Sequence, residues 1–131
     1  MENIFSQSLI CEPESRASAQ GVELGVRLPW YRSLPVSVVE VAEVSVDGRA
    51  VPAADIRFGI NGKTFTLDQL PDLTGEVWFV LDSAIITARI PLDLAVPHEV
   101  ALHLNLYPPY IPGLTWVTRG RRTLGAVRVA A

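Results

Sequence analysis

HEVALHLNL, residues 98–106, decides the fold. Val100, Leu102, Leu104 and Leu106 fall on one side of an extended chain. Glu99, Ala101, His103 and Asn105 fall on the other. Successive side chains of a strand point to opposite faces, so this alternation predicts a strand with one face buried and one solvated. GVELGVRL, residues 21–28, repeats the pattern, with Val22, Leu24, Val26 and Leu28 set against Glu23, Gly25 and Arg27.

Between these two stretches the period remains two. VSVVEVAEVSV, residues 36–46, slips phase: Val36 and Val38 are even, Val39 and Val41 odd, Val44 and Val46 even again. A bulge or sharp bend within 38–43 would restore the facing. Asp47-Gly48 predicts a hairpin turn into RAVP, and Asn61-Gly62 a second between IRFGI and KTFTL. Both dipeptides suit a two-residue turn whose central positions need positive φ. LDQLPDLTG, 67–75, is compatible with one short helical turn. Strands are also predicted for Phe5 to Cys11, EVWFVLD, SAIITARI and a closing TLGAVRVA. About eight to ten strands with short turns and no sustained helix imply an all-β fold. It would be an antiparallel β-sandwich, jelly-roll-like or Ig-like, forming a single domain over 1–131.

Composition supports that size of unit. A chain of 131 residues buries roughly two-thirds of its unfolded surface on folding. A composition of 49% hydrophobic and 19% charged residues argues against disorder. A net charge of −3 gives no general attraction to nucleic acid or anionic membrane. The one cysteine, Cys11, fits a reducing compartment and forbids an internal disulfide. The N-terminus lacks the basic and apolar regions of a signal peptide, and no apolar run reaches membrane-spanning length. A soluble cytoplasmic domain is the expectation.

Catalytic motifs are scarce. His98 and His103 lie five apart, so on one strand they face opposite sides and cannot chelate one metal unaided. His103 shares a face with Glu99, but four residues of strand separate them by about 13 Å. There is no GxSxG elbow and no glycine-rich phosphate loop. Glu12, Glu14, Asp68 and Asp72 are scattered, and Cys11 has no adjacent activator. No catalytic residue and no metal ligand is assigned.

Aromatic and basic side chains are concentrated instead. PWYRSLP, 29–35, carries Trp30, Tyr31 and Arg32 between prolines. YPPYIPGLTWVTRGRR, 107–122, carries Tyr107, Pro109, Tyr110, Ile111, Trp116, Arg119, Arg121 and Arg122. The second segment reads as too proline-rich for a regular strand and suited to a stiff extended path. Tyrosine, tryptophan and arginine are enriched at interface hot spots. From composition alone these rings either meet a partner or cap the end of the sandwich core.

RLPWYRSLPVSVVEVAEVSVDG, IRFGINGKTF, EVWFVLD, and HEVALHLNL running into PPYIPGLTWVTRGRRTL together resemble the beta subunit of bacterial C-glycoside deglycosidases. The resemblance extends from Ser6 to about Val127. It implies a partner: an isomerase- or epimerase-like TIM-barrel alpha subunit carrying a divalent metal, typically Mn2+, in a hetero-oligomer of alpha–beta pairs. It also implies a lyase reaction that breaks the carbon–carbon bond between an aromatic aglycone and a 3-keto sugar. This chain would then be the accessory subunit, without a cofactor of its own and inactive in isolation. A carbohydrate-binding module and a homo-oligomeric scaffold are the competing readings.

Overall fold

A computed structural model describes residues 4–125. Eleven strands are present among them. β1 (Ile10–Ser18), β2 (Gly21–Arg27), β6 (Ile56–Ile60), β7 (Lys63–Thr66) and β9 (Ser83–Arg89) form one sheet in the order β1-β2-β9-β6-β7. β4 (Val39–Val46), β5 (Arg49–Ala50), β10 (His98–Leu106) and β11 (Trp116–Leu124) form the second, ordered β11-β10-β4-β5. β3 (Leu34–Pro35) and β8 (Val77–Trp78) pair as a small separate ladder. All neighbouring strands are antiparallel. The fold is the expected all-β sandwich. The count exceeds ten because β3, β5 and β8 are only two residues long.

The alternation in the sequence becomes the core. Val100, Leu102, Leu104 and Leu106 are buried on β10, as are Val22, Leu24 and Val26 on β2. Ile86 on β9 and Phe58 on β6 join them from the five-stranded sheet. The phase slip resolves in two steps. A 3₁₀ turn takes up Val36–Val38. A bulge then falls at Ala42, because His103 pairs with Glu43 while Leu104 pairs with Val41. Val39, Val41, Val44 and Val46 thereby all point inward. Both hairpins form as predicted, with positive φ at Asp47, Gly48, Asn61 and Gly62. The segment Leu67–Asp72 is a 3₁₀ helix opened by a capping box between Thr66 and Gln69.

Four expectations are corrected. Phe5 to Cys11 is not a strand: Ser6–Ser8 is a 3₁₀ turn and β1 begins at Ile10. EVWFVLD supplies only Val77–Trp78 as strand before the chain turns, with Asp82 N–H donating to Phe79 O at 2.9 Å. The segment 107–122 is not irregular throughout: Trp116 onward is β11, paired residue for residue with β10. The prolines stop at 112, and nothing in TWVTRGRR obstructs a ladder. Nor is the proline-rich part extended, because the Ile111 N–H bonds to Pro108 O and the Leu114 N–H to Ile111 O in successive turns. Of the closing TLGAVRVA, Thr123 and Leu124 belong to β11, and 126–130 lie outside the described residues.

A candidate partner-binding end of the sandwich

The chain leaves β2 at Arg27 and crosses the end of the sandwich through 28–33. Leu28, Pro29 and Trp30 are buried there, while Tyr31 and Arg32 are exposed. The turns after β10 reach the same place. Trp30 Nε1 donates to the Tyr110 hydroxyl at 2.6 Å, and Trp116 Nε1 donates to Pro29 O at 3.0 Å. The Trp30 and Trp116 rings meet edge-on at 5.3 Å, and Phe5 meets Trp116 at 6.4 Å. The Arg32 guanidinium carbon stands 5.1 Å from the Tyr110 ring centroid, a cation–π distance. The two loops singled out in the sequence are therefore one structure.

That structure has a buried base and an exposed top. Trp30 and the half-buried Trp116 close the sandwich end. Tyr31, Tyr110 and Ile111 stand out from it, 64%, 45% and 38% exposed. The structure divides the rings: the tryptophans cap the core and the tyrosines face outward. Pro109 is exposed beside Tyr110.

Tyr107 turns the other way, toward the outer face of the four-stranded sheet. Its hydroxyl donates to Glu40 Oε1 at 2.8 Å, and Asn105 Nδ2 donates to the same oxygen at 2.8 Å. These bonds, Asn105 first, hold the Glu40 carboxyl below its ordinary pKa, and the carboxylate in turn raises that of Tyr107. His103 Nε2 lies 3.0 Å from Asn105 Oδ1, continuing the polar row. The face then opens into a shallow depression of about 410 Å³ lined by Glu43, His103, Arg119 and Arg121.

The arginines of 119–122 separate from the aromatic cluster because they lie on β11. Arg119 and Arg121 are exposed on the outer face, where Arg121 meets Glu99 at 3.3 Å. Arg122 reaches the N-terminal segment instead, donating from Nε to Ile10 O at 2.9 Å and from Nη2 to Gln7 O at 3.3 Å. Sequence spacing did not reveal this division, since it depends on where β11 starts.

His98 is structural. It is buried, with Nδ1 2.6 Å from Asp47 Oδ2 and Nε2 2.6 Å from Asp93 O. The Asp47 bond, then Asp93, raise the His98 pKa, and His98 lowers that of Asp47. Among the described residues no three His, Cys, Asp or Glu side chains are grouped to hold a metal ion, and no helix is long and apolar enough to cross a membrane.

The model of the C-glycoside deglycosidase beta subunit family matches residues 1–110. The chain belongs to that family. It is 44% identical over 110 residues to a C-glycoside deglycosidase beta subunit of Microbacterium trichothecenolyticum, covering 84% of this chain and 80% of the relative. A protein of the same name from Arthrobacter globiformis is 39% identical over 111 residues, covering 84% and 81%. A 3'-dehydrocarminate deglycosidase beta subunit of a Microbacterium species is 39% identical over 112 residues, covering 83% of each. The family match takes in all of 29–35 but ends at Tyr110, short of the span to Val127 read from the sequence. Within this family of beta subunits, the loop pair at the end of the sandwich is the candidate contact surface.

Proposed function

We infer that the chain is the non-metal subunit of a C-glycoside-cleaving lyase and docks on a metal-bearing alpha subunit through the 29–33 and 107–114 loops. One observation carries this: two loops far apart in sequence are tied into a single rigid, aromatic, partly exposed surface. Exposed tyrosines backed by the buried Trp30 and half-buried Trp116 present large contact area with little side-chain entropy left to lose on binding. The family and a relative named as a 3'-dehydrocarminate deglycosidase beta subunit support this substrate class. An aryl C-glycoside has no leaving oxygen, so two-carboxylate hydrolysis does not apply. A ketone at sugar C3 acidifies the C2 proton; a base removes it, a C1–C2 double bond forms, and the aryl carbon leaves C1 as it takes up a proton.

In this reading the alpha subunit is an isomerase- or epimerase-like barrel, and the divalent metal, Mn2+ by expectation, belongs to it. A metal there would polarise the C3 carbonyl. Barrel active sites sit among loops at one face, and the sandwich end would wall that face while holding the partner in shape. In the same reading the complex is cytoplasmic and built of alpha–beta pairs.

Co-expression with the neighbouring isomerase-like subunit, purification by a tag on one chain, and assay of a 3-keto C-glycoside with Mn2+ test the reading. Co-elution with cleavage is expected, and neither chain alone should turn over. Turnover by this chain alone, or sugar affinity without association, would overturn it.

A further inference from the structure

We propose that the turn 79–82 is the apolar anchor of this surface, with Phe79 and Leu81 entering a recess on the alpha subunit and Arg32 meeting a carboxylate beside it. The proposal rests on the subunit reading above and adds residues and a partner chemistry to it. Phe79 and Leu81 are 53% and 82% exposed, although they follow the fully buried Trp78.

Their exposure is built in. Trp78 Nε1 donates to Asp82 O at 2.9 Å, and Arg27 Nη1 to Leu81 O at 3.1 Å. The Val80 N–H donates to Ser33 Oγ at 2.9 Å. Ser33 adjoins Arg32, and Leu34 pairs with Trp78, so the turn is fastened along the same segment that carries Tyr31. Tyr31, Tyr110, Ile111, Phe79 and Leu81 are five of the large exposed apolar side chains of the described residues. Large apolar side chains held outward on a turn fastened beside Arg32 mark an interaction site.

Charge selects the occupant. Arg32 makes no ion pair among the described residues; it sits over Tyr110, one residue from the Ser33 that holds the turn. A fixed guanidinium there favours a partner with an acidic side chain at its rim and disfavours a second copy, which would bring Arg32 against the same cationic, apolar end.

The test is the dissociation constant of the purified alpha–beta complex, measured by sedimentation velocity on dilution. Phe79→Ser with Leu81→Ser should raise Kd at least tenfold. Leu81→Lys alone does the same without touching a packed side chain, and guards against a folding defect. Arg32→Glu should weaken binding more than Arg32→Gln, with the difference shrinking in high salt. A Kd within twofold of wild type for Leu81→Lys and for the double variant overturns the proposal. If Tyr110→Ala weakens binding in that case, the subunit reading stands without it. If the wild-type chains do not associate, both fall. Self-association of the isolated chain that Leu81→Lys abolishes would also overturn it, assigning the turn to a homodimer.

Discussion

Trp30 Nε1 and the Tyr110 hydroxyl are joined at 2.6 Å across eighty positions of sequence. The bond fixes an exposed ring to a buried one, and it divides the cluster into parts with different roles.

Tyr110→Ala should therefore raise the Kd for the alpha subunit tenfold or more while lowering the stability of the isolated chain by about 1 kcal/mol, the worth of one hydrogen bond and some ring contact. Trp116→Ala, half-buried and packed on Trp30, should show the opposite balance, with about 2–4 kcal/mol lost in urea unfolding. Equal effects of the two on stability would remove the division.

Ala42 is the extra residue of β4. Its deletion should be tolerated, because Val41 and Glu43 then follow one another as Leu104 and His103 do, and Val39, Val41, Val44 and Val46 keep facing inward. Deleting Glu40 instead breaks the alternation and turns Val39, now 3% exposed, toward solvent, at about 1.5–3 kcal/mol for one buried valine. Melting temperatures of the two deletions should differ in that order. An unfolded Ala42 deletion beside a stable Glu40 deletion would contradict the bulge.

Legibility followed locality. The bulge, both hairpins and the inward faces of β2 and β10 could be read from the sequence because two-residue periodicity and positive-φ turns are properties of neighbouring residues. The start of β11 could not, since the prolines of 107–112 masked a strand whose evidence is its pairing with β10. Phe79 and Leu81 were assigned to a strand because VWFVL is strand-like in isolation; only the bonds from Ser33 and Asp82 mark the turn. The loops 29–35 and 107–116 were legible as aromatic, but their union was not.

Stability should depend on pH through His98. Its pKa is raised in the fold by Asp47 and then Asp93. Its contribution is full below the unfolded value of about 6.5 and is lost as pH rises through the higher folded value. Asp47 runs in the other sense: lowered by His98, it contributes above about 3.9 and loses that contribution as pH falls through its folded value. The pair is at full strength between about 3.9 and 6.5. Urea midpoints measured from pH 3 to 9 should show wild type losing stability on both sides of that window relative to His98→Gln. Parallel profiles would rule the pair out as the source.

Gly21→Ala should be far costlier than Gly48→Ala. At Gly21 a Cβ would lie 2.0 Å from Ala88 O, whereas at Gly48, with φ of +81°, it meets nothing within 4 Å. The second change should cost about 1 kcal/mol of backbone strain, and the first should prevent β2 from seating on β9. Thermal melts of the two variants decide it.

The Arg122 guanidinium, bonded to Ile10 O and Gln7 O, fastens the last described strand to the first. The match to the family model stops at Tyr110, before that strand begins. A fragment trimmed to the matched region would lack both the fastening and the nine-residue partner of β10. It would present a bare strand edge to other chains, and light scattering should find it sticky where the full chain is monodisperse. The limits of the matched region are thus not the limits of the smallest unit that can close on itself.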